Sequence, residues 1–229
     1  MTSLAERIKR YERASAHQLT PNSAVIIRVD GRAFHTWTRD LDRPFDAELM
    51  RIMVEATRET AADMQGFKLA YTQSDEATFL LTDFDRHDTL GWFGYDLSKL
   101  ISISASLFTM AFNRRFIHRQ TAVFDSRAFI VPRADAANVF VWRQQDWERN
   151  SLQMLARSRF STSQLHGKGR TDLHEMLHEI GIHWARDLTN QQKNGTFVLA
   201  DKTIHHEPWR YEQITEYVDS QLAGAEVTA

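Results

Sequence analysis

At 229 residues, 42% apolar and 25% charged, the chain has material for one substantial core with an appendage, or two small ones, in the balance typical of globular proteins. It contains no cysteine, which excludes a disulfide framework, a thiol nucleophile and a cysteine-ligated zinc site. The net charge of −2 names no partner, but between Arg114 and Arg170 eleven basic residues, ten of them Arg, stand against four acids. Arg is suited to forked contact with phosphate, although a solvated basic face explains the same composition.

A charged helix over Met1 to Tyr11 lacks the apolar stretch of a signal peptide. A β-branched strand, Val25 to Val29, then stops at the breaker pair Asp30-Gly31. Phe45-Asp46 opens a helical pattern with Leu49, Ile52, Met53, Ala56, Thr60 and Met64 on one face, and Gly66 ends it. Lys68 to Thr72 and Ala77 to Leu81 read as a hairpin turning over Gln73 to Glu76. Tyr95 to Phe116 forms a second helix with a buried stripe of Leu97, Leu100, Ile101, Ala105, Phe108, Ala111 and Phe112, and its small residues Ser98, Ser102, Ser104 and Ser106 permit close packing. Ala122 to Val131 alternates like a strand until Pro132 stops it.

This order of strand, helix, strand, strand, helix, strand is that of the ferredoxin-like split βαβ unit. A right-handed crossover makes its first two strands parallel, with the third antiparallel between them. The expected class is therefore α/β (α+β): a ferredoxin-like βαββαβ sheet with helices on one face over residues 1–134, and a mostly helical region, 135–229, packed on it. That region reads as helices over Ala136 to Arg159, Thr171 to Ile180 and Tyr211 to Leu222, a hairpin over Thr196 to Ile204 turning at Asp201-Lys202, and a disordered tail, Ala223 to Ala229. No apolar run approaches the roughly 18 residues of a membrane span, so the expected compartment is the cytoplasm and no membrane partner is expected.

The topology brings Asp30, Asp75 and Glu76 to one edge of the sheet, beyond the strand ends where α/β sheets bind ligands. Gathered carboxylates repel one another, and a site that collects them commonly binds a hard cation such as Mg²⁺. Turn chemistry alone also favours Asp at such places. His174-Glu175-Met176-Leu177-His178 matches the helical H-E-x-x-H zinc signature. Its His residues flank a core stripe of Leu173, Met176, Leu177 and Ile180, and His183 falls one residue short of a third-ligand spacing, which favours a structural helix. No Walker A loop, G-x-G-x-x-G or G-x-S-x-G occurs, so nucleotide handling here is expected to centre on metal.

Arg28-Val29-Asp30-Gly31-Arg32-Ala33-Phe34-His35, Arg43-Pro44-Phe45-Asp46, Ala70-Tyr71-Thr72-Gln73-Ser74-Asp75-Glu76, Phe124-Asp125-Ser126-Arg127 and Trp142-Arg143-Gln144-Gln145-Asp146 occur in this order. Together they resemble the tRNA-histidine guanylyltransferase family and its guanylyltransferase-like branch of 3′-to-5′ RNA polymerases. The resemblance implies a polymerase-like palm, two Mg²⁺ ions, ATP and GTP as substrates, tRNA as partner, and a homotetramer built as a dimer of dimers. It implies that Asp30 and Asp75 hold the metals with the Gly31 carbonyl, Glu76 supporting them. The stretch Gly31, Arg32, Ala33, Phe34 and His35 would cradle a triphosphate by its backbone. Arg43, Ser74 and Lys99 would contact phosphates, and Asp46 would face a guanine base. Arg127, Arg143, Asn150, His166 and Lys168 are the implied RNA contacts.

Departures refine the implied activity. The tRNA-histidine enzymes carry His-Ile-Asn-Asn where this chain has Glu148-Arg149-Asn150-Ser151, the segment from His35 to Pro44 is shorter, and Asp96 stands where an Arg is expected. These favour template-dependent repair of truncated tRNA 5′ ends over dedicated guanylate addition to tRNA-histidine. A palm-fold nucleotide cyclase, a catalytically idle RNA-binding protein and a zinc hydrolase are the other readings of these residues.

Overall fold

A computed structural model of the chain describes residues 2–85, 88–117 and 119–223. The helices α1 (Leu4–Ala14), α2 (Phe34–Trp37), α3 (Ala47–Ala62) and α4 (Leu97–Asn113) alternate with strands β1 (Ala24–Gly31), β2 (Phe67–Gln73), β3 (Glu76–Leu81) and β4 (Phe124–Val131). The C-terminal part adds α5 (Ala136–Arg157), α6 (Thr162–Leu165), α7 (Arg170–Glu179), α8 (Trp184–Asp187), α9 (Asn190–Asn194), β5 (Thr196–Leu199), β6 (Ile204–His205) and α10 (Tyr211–Leu222). The sheet runs β4-β1-β3-β2-β5-β6, and every neighbouring pair is antiparallel. β1 and β2 therefore point the same way with β3 between them, as the split βαβ reading requires.

Both faces of the sheet are covered. Val25, Ile27 and Val29 pack with Phe79 against α3 (Ile52, Met53, Ala56) and α4 (Leu100, Phe108, Phe112). Ala24, Ile26, Leu69 and Leu80 pack on the other side against Phe140 of α5 and Ile214 and Val218 of α10. The expectation of helices on one face holds for the residues of the βαββαβ unit. Adjacent Ile26 and Ile27 are both fully buried, each contributing roughly 1.5–3 kcal/mol, and leaving the second face open would forfeit half of that pattern. The C-terminal part also supplies β5, which pairs with β2 and continues the same sheet.

The two long helices of the βαββαβ unit, α3 and α4, start at acidic caps. The Asp46 carboxylate accepts from the Leu49 amide at 2.8 Å and Asp96 from the Lys99 amide at 2.9 Å. Asp96, the departure from the family pattern, thus has a local role in opening α4. Of the four serines expected to pack closely in α4, only Ser104 is buried, where its hydroxyl meets that of Ser126 at 2.7 Å. The expected disordered tail lies, from residue 224 on, outside the described residues.

Candidate active site

β1 runs out beside the β2–β3 turn, and the two are stitched by the Gly31 amide donating to the Asp75 carbonyl at 3.0 Å. Ser74 takes the left-handed conformation in that turn (φ 49°), and its hydroxyl donates to the Asp75 carboxylate at 2.9 Å. Antiparallel register sets Asp30 directly opposite Glu76 on β3 and Asp125 on β4, so the three acids form one row across the sheet. Arg28 and Arg127 face each other two residues back along the strands. The Arg127 guanidinium lies 3.9 Å from Asp30 and 3.7 Å from Asp125.

Burial and mutual repulsion set the electrostatics. Desolvation raises the Asp30 carboxyl above its ordinary range, the Asp125 charge adds to the rise, and Arg127 and Arg28 oppose it. Desolvation also raises Asp75, with Asp30 adding to it and the Ser74 hydroxyl opposing. No Lys, Arg or His comes within ion-pair distance of Asp75 among the described residues. Such a carboxylate favours a cation supplied from outside.

Glu76 is held differently. Its two oxygens accept a fork from Arg143 of α5, Nε and Nη2 each at 2.7 Å, and Arg143 also donates to Asp146 at 3.2 Å. Burial still raises the Glu76 carboxyl, with Arg143 the largest opposing influence. Both Glu76 oxygens are thus occupied, which makes it a brace for the turn that carries Asp75. Arg143 is itself buried and its fork is turned inward to a carboxylate, while it also borders the cleft that holds Asp30 and Asp75.

The stretch after β1 folds back tightly. Ala33 has φ 55°, and a Cβ at Gly31 would lie 2.2 Å from the Phe34 ring, so glycine is required there. Phe34 is buried against Trp37 and Phe124, which leaves only its backbone for a ligand. Arg32 is exposed at this turn. His35, Arg43, Asp46 and Ser74 line one cavity of about 370 Å³ with the apolar groups of Leu41, Phe45, Met50 and Trp147. Apolar walls with a few polar groups suit a stacked base. Asp46 is committed in part, since its second oxygen accepts from the Asp42 amide at 3.3 Å while the first caps α3. Lys99 is not brought to this cavity. It sits in the first turn of α4, whose opposite end is the one tied to Ala122 beside the carboxylate edge, through Asn113.

A second, open cleft of about 320 Å³ joins Asp30, Ser74, Asp75 and Glu76 to Asn150, Gln153, Met154 and Arg157 of α5. It shares Ser74, Trp147, Met154 and Arg157 with the first cavity, so the two form one continuous recess. Asn150 faces the recess with its amide on Asp146 at 3.2 Å. Arg127 borders the carboxylate row, whereas His166 and Lys168 follow α6, one helix further on. Asp125 and the α5 residues Trp147, Met154 and Arg157 carry no role in the sequence reading. The signal for the second group was present: Arg143, Trp147, Asn150, Met154 and Arg157 recur at alternating steps of four and three, one face of a helix.

Asp30, Asp75 and the Gly31 carbonyl offer hard oxygen donors, and the orphaned charge of Asp75 fits a divalent cation. Among the described residues no three acidic or imidazole side chains form a ready-made metal cluster. Two carboxylates suit Mg²⁺, which keeps waters and takes substrate phosphates as its remaining ligands. In the H-E-x-x-H stretch, His174 packs edge-on to Trp184 and His178 to His183, on the helix that buries Leu173 and Leu177.

The profile of the family described as tRNAHis guanylyltransferase matches residues 5–132. A bacterial tRNAHis guanylyltransferase-like protein solved in complex with ATP is 36% identical and superposes with a TM-score of 0.91 over 96% of this chain and 99% of that one. A structure described as a bacterial protein of the same kind in complex with GTP is 33% identical, with a TM-score of 0.81 over 96% and 99%. The tRNAHis guanylyltransferase of Schizosaccharomyces pombe is 29% identical over 203 residues, 78% of this chain and 74% of that protein.

Proposed function

The chain belongs to the tRNAHis guanylyltransferase family of nucleotidyltransferases, and from that premise we propose that it adds nucleotides in the 3′-to-5′ direction to the 5′ end of tRNA, repairing truncated ends against the opposing strand. One observation supports the reading: the carboxylates Asp30 and Asp75 open directly into a continuous recess with apolar walls and a few polar groups. ATP or GTP is the nucleotide proposed, since the bacterial relatives were solved with each. Residues 1–134 form the palm in this reading, and 135–229 contribute the recess wall through α5. Two Mg²⁺ ions would be held by Asp30, Asp75 and the Gly31 carbonyl, and would supply charge neutralisation on the phosphates and a more acidic attacking group.

The chain's own groups do the rest. The backbone from Gly31 to His35 binds the triphosphate, with Ser74 and Arg43 beside it. Trp147, Phe45 and Met50 stack on the base and exclude water. Arg143 fixes Glu76, and so holds the turn that orients Asp75. In the first step the RNA 5′-phosphate attacks the α-phosphorus of the triphosphate and pyrophosphate leaves; in the second the 3′-hydroxyl of an incoming nucleotide attacks the activated 5′-phosphate and the nucleoside monophosphate leaves.

Dedicated guanylate addition to tRNA-histidine is the second reading, favoured by the described activity of the family and of the Schizosaccharomyces pombe relative. The stretch Glu148 to Ser151 supports repair instead. Glu148 is engaged by Gln144, Asn194 and Tyr211, Arg149 pairs with Asp146, and Ser151 is buried under Trp184, which leaves Asn150 alone facing the recess. A cytoplasmic homotetramer completes the proposal; no described helix is long and apolar enough to cross a membrane. The test is incubation with a tRNA lacking its first nucleotide, Mg²⁺ and all four triphosphates. Growth by one nucleotide at the 5′ end is expected, and no growth with any triphosphate overturns the proposal.

A further inference from the structure

Arg157 is common to three hollows. It lines the nucleotide cavity, the carboxylate cleft, and a notch of about 220 Å³ that also contains Gln153, Leu165 and Lys168. It lies on the same face of α5 as Arg143, 14 residues and so about 21 Å along the axis from the Glu76 brace. Several other members of the Arg-rich stretch carry ion pairs: Arg127 with Asp30 and Asp125, Arg143 with Glu76, Arg149 with Asp146. Arg157 has no carboxylate within ion-pair distance among the described residues, and its guanidinium reaches only the Gln153 amide oxygen, at 3.5 Å. A cation in the last turn of a helix also answers the negative helix end, but that role does not require it to line the hollows.

We propose that Arg157 binds a phosphate at the 5′ end of the RNA, holding the end between the carboxylates and Lys168. A guanidinium offers a fork that matches phosphate oxygens, and an exposed unpaired one loses little on binding. The same chemistry could come from the nucleotide's triphosphate, which has the Gly31 to His35 turn and Ser74 for its own. The notch favours the RNA: Gln153 and Arg157 line both it and the carboxylate cleft, so a strand laid from Asp75 to Lys168 crosses Arg157.

This rests on RNA being the substrate, and the experiment separates the two. Anisotropy of labelled tRNA acceptor stems, with 5′-phosphate or 5′-hydroxyl ends, is measured on the full chain over a salt series, beside calorimetry with ATP and GTP. Arg157→Ala is expected to weaken binding of the 5′-phosphate RNA by roughly tenfold, the scale of one charge-assisted hydrogen bond, and to reduce the salt slope by about 1. It should also erase the preference for the phosphorylated end, and Arg157→Lys should restore part of each effect, with ATP and GTP binding unchanged. RNA affinity and salt slope equal to wild type overturn the inference. So does a loss of ATP or GTP affinity matching that of RNA, which would give Arg157 to the triphosphate. A wrong substrate shows in the wild type, which then fails to bind RNA at all.

Discussion

Arg143→Met removes one half of a pair whose side chains are only 8% and 12% exposed, and leaves the Glu76 charge buried without its fork. Asp146 keeps Arg149 and Asn150, so the loss falls on Glu76. Breaking a buried, hydrogen-bonded pair by removing one partner costs about 3–5 kcal/mol. In a chain of this length each kcal/mol moves the thermal midpoint by about 2–4 °C, so the variant should unfold about 6–20 °C below wild type. The double variant Arg143→Met with Glu76→Met leaves no stranded charge and should recover most of that loss. Thermal unfolding followed by circular dichroism reads all four corners of the cycle. A shift under about 2 °C in the single variant, or a double variant no better than the single, would show that the fork is a solvated contact and that Glu76 is not a brace.

Asp30→Ala and Asp75→Ala should each abolish nucleotide addition without lowering the unfolding midpoint, and activity within a few-fold of wild type in either contradicts their assignment as metal ligands. Burial raises the Asp75 pKa in the folded chain, so its charge is a penalty on folding that is full at neutral pH and disappears as pH falls below the unfolded value near 3.8. Asp75→Asn should therefore unfold at a higher temperature than wild type in chelator at pH 7, and Mg²⁺ should raise the midpoint of wild type but not of the variant; the opposite ranking refutes the orphaned-charge account. Asp46→Ala should cost about 1 kcal/mol through the lost helix cap and lower GTP affinity more than ATP affinity, whereas an unchanged ratio of the two removes Asp46 from the role of base reader.

The βαββαβ order was legible because its cues are local: Asp30-Gly31 ends a strand, Asp46 and Gly66 bound a helix, and Pro132 closes β4. That the sheet is buried on both faces was also written in Ala24 to Ile27, a run with no polar alternation, but the identity of the covering helices depends on long-range contacts that no local pattern specifies. The same limit applies to the site. Asp30 and Asp75 follow from topology, whereas Asp125 joins them only through the β1–β4 register, and Arg143 turns inward only because Glu76 lies beneath α5. Charge counting treated Arg143 and Arg157 alike, and burial separates them.

In template-dependent repair the opposing strand chooses the incoming nucleotide while the protein holds backbone. This choice is tested most directly with tRNAs of several anticodons, each lacking its first nucleotide, in which the base opposite the gap is changed in turn to each of the four. The nucleotide added should be the complement of that base, on every anticodon. Guanylate addition regardless of the opposing base, confined to the histidine anticodon, would contradict it.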